Sequence, residues 1–162
     1  MAGRRTTLKK FGSCLLLATA VSSMTIRVAH AGDVTVSTAR TTPASTAAGD
    51  GSGPGNIVVE SAGSIAVTDP TVVTLNSNHA VTLRGPVSTT AEANATGVLV
   101  DVSADRTGEV DNFGVITIQG PATGSSQANA TVSNTGIKMT GAGVFTGSII
   151  NNVGGAIGVG GN

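Results

Sequence analysis

The side chains with the most chemistry to offer are carboxylates. Asp101, Asp105, Glu109 and Asp111 form the densest acidic stretch of the chain. Oxygen ligands at such spacing are what a calcium loop uses. The window from Asp101 to Asn112 nevertheless misses that template. Arg106 stands where the sixth-position glycine belongs, and Asn112 where the bidentate acid belongs. A solvated acidic loop accounts for it. Gly154 to Gly161 is glycine-rich, but it lacks the aspartate of calcium-binding nonapeptides and the Gly-Lys-Ser/Thr of a phosphate loop. His79 has no second histidine nearby and no cysteine to complete a metal set or a triad. Asn94-Ala95-Thr96 and Asn129-Ala130-Thr131 match the glycosylation sequon. Their equivalent places in a repeat explain them without any sugar. The residues therefore offer no catalytic group, no metal ligand set and no cofactor site.

Composition narrows the class further. The chain of 162 residues has three phenylalanines, no tryptophan and no tyrosine. A polysaccharide-active enzyme normally uses aromatic platforms, and a conventional globule uses more large side chains in its core. Gly, Ser and Thr in such amounts also raise a disordered secreted linker as an alternative. Arg4, Arg5, Lys9, Lys10 and Arg27 are basic, and no acid precedes Asp33. A soft apolar run from Cys14 to Ile26 follows, then Ala29-His30-Ala31. Positive segment, short apolar segment and small-residue cleavage site together read as a secretory signal peptide over residues 1–31. Ala29 and Ala31 fit the narrow pockets of signal peptidase, with the cut before Gly32. Arg4-Arg5 loosely matches a twin-arginine signal as well as ordinary basic charge. The remainder carries four basic and nine acidic residues, a net charge of −5. Attraction to nucleic-acid phosphates is not available to it. The one cysteine, Cys14, leaves with the signal, so no disulfide partner exists.

These considerations lead to the elements that must carry any surface function. Residues 32–55 are rich in chain breakers and read as a flexible leader, in which Val34 and Val36 can form a short strand that caps the open end of the stack. From Asn56 onward, apolar pairs recur at period two: Ile57/Val59, Ile65/Val67, Val73/Leu75 and Val81/Leu83, then Ile116/Ile118, Ile137/Met139 and Ile157/Val159. Turn residues separate them, so each pair lies on one face of a short strand. Val81-Thr82-Leu83-Arg84-Gly85-Pro86 is echoed 35 residues later by Ile116-Thr117-Ile118-Gln119-Gly120-Pro121, as Ala93–Thr96 is by Ala128–Thr131. A third copy starts at Ile157, 41 residues beyond Ile116, and the chain stops within it. Gly97–Val100 aligns with Gly136–Met139, Gly108–Asn112 with Gly147–Asn151, and Gly114 with Gly154 after one inserted residue. Gly85, Gly114, Gly120, Gly147 and Gly154 read as corners. Repeats of this size mean stacked units that bury their apolar faces only together. The expected fold is all-β, a parallel β-solenoid (β-helix) over 56–162, incomplete at its C-terminus.

Thr146-Gly147-Ser148-Ile149-Ile150-Asn151-Asn152-Val153-Gly154 and Val110-Asp111-Asn112-Phe113-Gly114-Val115-Ile116 carry a resemblance. With the export signal and a cysteine-free Gly/Asn/Thr-rich remainder, the chain from Asn56 to Asn162 resembles the start of a passenger domain of bacterial autotransporters. Repetitive passengers of Gram-negative bacteria are the nearest likeness, and exported two-partner-secretion adhesins share the motifs. The resemblance implies a right-handed solenoid and a non-enzymatic scaffold at the cell surface, used in adhesion or cell–cell contact. Its implied partners are signal peptidase, the export machinery, and a surface ligand or a second copy. Barrel strands with aromatic girdles are not in this sequence, so the resemblance implies a truncated passenger. A fragment of an exported β-helical polysaccharide-active enzyme is the alternative, recognisable by carboxylates converging on a groove with Arg84 or Arg106.

Overall fold

The structure, a computed structural model, describes residues 32–91, 93–119 and 133–160. The proposed signal peptide lies outside the described residues, as do Glu92, Gly120 and the second sequon. Fourteen short strands follow one another, and no helix occurs among the described residues. Taken three at a time they form coils. The first holds β1 (Val34–Val36), β2 (Ala39–Arg40) and β3 (Ala44–Ser45). The second holds β4 (Ile57–Val59), β5 (Ser64–Val67) and β6 (Thr71–Leu75). The third holds β7 (Ala80–Leu83), β8 (Val87–Thr89) and β9 (Thr96–Asp101). The fourth holds β10 (Arg106–Asn112), β11 (Val115–Gln119) and β12 (Thr135–Thr140). β13 (Phe145–Asn151) and β14 (Ala156–Gly160) begin a fifth.

Each coil contributes one strand to each of three sheets. The sheet orders are β1-β4-β7-β10-β13, β2-β5-β8-β11-β14 and β3-β6-β9-β12, here called sheets 1, 2 and 3. Every strand pair is parallel. Parallel strands need a crossover, and here the other two sides of the coil supply it in place of a helix. Stacked parallel sheets of this kind are compatible with the expected β-solenoid.

Alternation selects which side chains enter the interior, and register makes them stack. In sheet 1 one column runs Val34, Ile57, Val81, Val110, Ile149. In sheet 2 the corresponding column runs Arg40, Ile65, Val87, Ile116, Ile157. In sheet 3 it runs Ala44, Val73, Val98, Ile137. From the second to the fourth coil the members of these columns are buried, apart from Ile137. β-branched side chains with few rotamers suit such slots. The buried Thr89 answers its own polarity by donating from Oγ1 to Asp69 O and accepting from Ala91 N.

Glycine permits the close approaches. Gly63, Gly85 and Gly114 stack at the corner between sheets 1 and 2. A Cβ on Gly85 would lie 2.1 Å from Gly63 O, and one on Gly114 would lie 2.4 Å from Gly85 O. Gly97 and Gly136 lie within or beside sheet 3 strands, where a Cβ would strike Ile116 Cγ2 or Ile157 Cγ2. Gly147 also belongs to a strand, stacked on Gly108 in β13, so it is not a corner. Gly154 is a turn residue with φ of 93°.

Three expectations are corrected. The segment 32–55, expected as a flexible leader, holds the first coil: β1 is the short capping strand read at Val34 and Val36, and β2 and β3 pair with the second coil as well. Its breakers fall at corners and in one long connection, while the strands themselves are held by their neighbours. The 35-residue echo is not the stacking period. Val81 lies in sheet 1 and Ile116 in sheet 2, and Val81 stacks on Val110. All three sides of a coil use the same alternating strand, so one side imitates another. Between Asn112/Asn151 and Val115/Ala156 two residues are inserted, not one, which aligns Gly114 with Gly155. The alignments of Gly97–Val100 and Gly108–Asn112 with their later copies are the observed registers.

Gly85→Ala should therefore cost about 1–3 kcal/mol, because the atoms facing the new methyl, from Gly63 and Glu60, are all backbone. Gly158→Ala, with only Ile116 O near at 3.9 Å, should stay within about 0.5 kcal/mol of wild type. Urea unfolding of both variants measures the contrast.

Candidate functional site

The acidic stretch is used to bind the next coil. Asp105 Oδ1 accepts a hydrogen bond from Val144 N at 2.9 Å. Glu109 Oε1 accepts from Ser148 Oγ at 2.7 Å, and Asp111 Oδ1 from Asn152 Nδ2 at 3.3 Å. Asp101 Oδ1 instead caps its own turn by accepting from Ser103 N. No group of three or more His, Cys, Asp or Glu able to hold a metal ion occurs among the described residues.

Asp105 belongs to a larger device at the corner that leads into sheet 1. Asn56 donates from N and Nδ2 to Asp33 Oδ1, and Asn56 Oδ1 accepts from Ala80 N. Asn78 Oδ1 accepts from Thr107 N. Four successive coil junctions thus carry an Asp or Asn oxygen that receives a backbone N–H from the coil above. These N–H groups lie at the strand starts, where an unmet donor would be costly. The sequence reading missed this ladder. Its signal is an Asp or Asn one or two positions before the first four sheet 1 strands: Asp33, Asn56, Asn78 and Asp105.

A second polar clip joins the first two coils. Thr46 is fully buried, and its Oγ1 accepts from Asn76 N and Ser77 N. Asn76 Oδ1 in turn accepts from Ser45 Oγ and Ala47 N. A third pair, Asn112 and Asn151, sits in a column that is apolar below, where Leu83 holds the same slot. Asn112 Nδ2 donates to Asn151 Oδ1 at 2.7 Å, while the buried Asn112 Oδ1 has no partner.

The ladder borders a shallow groove of about 530 Å³ that crosses several coils, lined by Asn56, Asn78, His79, Glu109, Thr146 and Ser148 among others. Gly108 and Gly147 form part of its floor. His79 is half-buried, and its Nδ1 lies 2.9 Å from Ser77 Oγ. Glu109 is the one carboxylate lining the groove, and neither Arg84 nor Arg106 lines it. Arg106 Nε is enclosed without a partner. The groove presents hydroxyls, amides and bare backbone, which can exchange hydrogen bonds with a polar chain laid along it.

Of the residues named for signal peptidase, Ala29 and Ala31 lie outside the described residues. Gly32 is buried, with φ of 106°, and its carbonyl accepts from Asp50 N at 3.0 Å. Asn94 of the first sequon is exposed with φ of 55°. Thr96 stacks on Thr135, and Ala95 N donates to Asn134 Oδ1. The residue level with Thr96 on the next coil is therefore Thr135, and the second sequon lies outside the described residues.

The site is thus a polar strip on an all-β stack of three parallel sheets. Comparison with protein-family models, curated proteins and solved structures gives no match.

Asn56→Ala should cost about 1–3 kcal/mol, because it leaves Ala80 N without its acceptor and removes the Nδ2 bond to Asp33, while the backbone bond from Asn56 N stays. Thermal unfolding measures it. Asp50 provides a pH test. Ser52 Oγ and N donate to its carboxylate and hold its pKa below the ordinary aspartate value. A depressed folded pKa means that its contribution is present above the unfolded value and fades as pH falls through the folded one. Carboxyl-carbon NMR should find Asp50 titrating below its ordinary range, and Ser52→Ala should move it back up.

Proposed function

We propose that the chain is an exported, non-enzymatic surface scaffold. Residues 1–31 act as the signal peptide, and the chain from Gly32 onward stacks as a parallel β-solenoid of the right-handed autotransporter-passenger type, serving adhesion or cell–cell contact. The observation that carries this reading is the use of the chemistry-bearing side chains. Asp105, Glu109 and Asp111 hold one coil to the next, and the groove gathers one carboxylate and one imidazole. What the stack offers a partner is a long polar surface.

The burial of Gly32 gives the export route an order. A bond next to a glycine packed under residues 49–55 is a poor protease substrate once that packing is complete. Processing and transport therefore precede folding, as the unfolded-chain route requires. Stacking of the coils then takes place on the far side of the membrane.

Expression of the full chain in a Gram-negative host tests the proposal. N-terminal sequencing of exported material should begin at Gly32, and Ala31→Arg should block the cut. Arg4→Lys/Arg5→Lys should leave export intact. Beads coated with the exported protein should bind cells above beads coated with a heat-unfolded sample. Cytoplasmic retention of the uncut chain sinks the export reading, and equal bead binding sinks the adhesive one.

A further inference from the structure

The groove on the wall of the stack is where outward side chains of several coils meet. Asn78 stands just before β7, and Thr107 and Glu109 lie on β10, so this part of the groove has a coil on either side. Alternation turns these residues outward, because Val81 and Val110 on the same strands fill the interior. Register then repeats them along the stack. Ala80, Glu109 and Ser148 stand level, and so do Thr107 and Thr146. Asn78 Oδ1 accepts from Thr107 N and so joins the second row. Successive members of a row are about 4.8 Å apart, the spacing of paired strands.

The lining excludes most classes of polymer. No lysine or arginine is among the described residues that line the groove, so a polyanion finds no counter-charge there. Glu109 is the one carboxylate, and it already accepts from Ser148 Oγ at 2.7 Å. A polycation needs a row of such charges. No phenylalanine or branched aliphatic side chain lines the groove, so an amphipathic helix has nothing to bury its apolar face against. β7 and β10 are paired along both edges, so a peptide cannot join them as a further strand. What is on offer is the hydroxyls of Thr107 and Thr146, both exposed, and the exposed Asn78 amide, whose Oδ1 is spent on the backbone.

We propose that the groove binds a neutral, extended glycan laid across the coils. Each sugar of such a chain carries hydroxyls that both donate and accept, which is what rows of hydroxyls and amides require. The step of about 4.8 Å between coils is close to the length of one unit in an extended β-1,4-linked chain, so successive sugars meet successive coils. No ring stacks on the sugars here. Each contact is a hydrogen bond exchanged against water, so a single groove binds weakly and attachment depends on many copies acting together. The inference rests on the reading of the stack as an adhesive scaffold, and it names what that scaffold holds.

NMR titration of the full chain with cellohexaose tests it, beside maltohexaose, hexagalacturonate and hexalysine. Cellohexaose should shift the backbone amides of Thr107 and Gly108 and the side-chain amide of Asn78, with an affinity that added salt leaves unchanged. Maltohexaose, which coils, and the two charged oligomers should bind about tenfold more weakly, the equivalent of one or two lost hydrogen bonds. Thr107→Val should weaken cellohexaose binding by about three- to tenfold, whereas Thr117→Val, on the outer face of sheet 2, should not. The map of shifted amides in the unaltered chain decides the matter should Thr107→Val unfold. No shift with cellohexaose, shifts outside the groove, equal binding of maltohexaose, tighter binding of either charged oligomer, or an indifferent Thr107→Val each overturns the inference. Beads that bind cells while cellohexaose leaves the groove untouched sink the glycan and spare the adhesive reading. Groove shifts with cellohexaose, beside equal binding by native and heat-unfolded beads, do the reverse.

Discussion

Everything in this stack depends on the parallel pairing of one coil with the next in fixed register. That pairing consumes the backbone donors and acceptors along two of a strand's edges, and it places like upon like in the interior. A column such as Val34, Ile57, Val81, Val110 and Ile149 is the direct result. Each member must have a shape its neighbours accept, and each is covered only because another coil lies beyond it. Stability is therefore shared between neighbours and not stored within any coil.

The scarcity of aromatics follows from the same constraint. The interior of a three-sided coil is narrow, and its slots take branched aliphatics in few rotamers. Where polarity enters, it does so at corners and in columns. Asp33, Asn56, Asn78 and Asp105 each answer a backbone donor one coil away. Asn112 and Asn151 show what happens when a column changes from apolar to polar between coils. Asn112 Nδ2 finds a partner in the coil above, while its buried Oδ1 finds none.

Much of this was legible in the sequence, and the failures have a single source. Period-two pairs gave the strands, and Gly97–Val100 against Gly136–Met139 gave a true register. The echo of Val81–Pro86 in Ile116–Pro121 misled, because sheets 1 and 2 demand the same alternation and thus look alike locally. Val34 and Val36 gave β1, but β2 and β3 were obscured by breakers, since strands of two residues carry no period of their own. The polar ladder was present in the sequence as Asp or Asn ahead of the first four sheet 1 strands. It went unread because a turn and an inter-coil acceptor use the same residue types. The groove brings together residues from several coils, and no local spacing announces that.

One corner of the coil lengthens progressively along the stack. Between sheets 2 and 3 the connections after β2, β5, β8 and β11 contain three, three, six and fifteen residues. The columns on either side keep their register throughout. Chain length at this corner is thus decoupled from the interior, and by loop-closure entropy each doubling there costs only about 0.6 kcal/mol. New sequence can accumulate at that one edge, coil after coil, while the frame that displays it stays the same. Variation in what such a molecule touches need not be written into what holds it together.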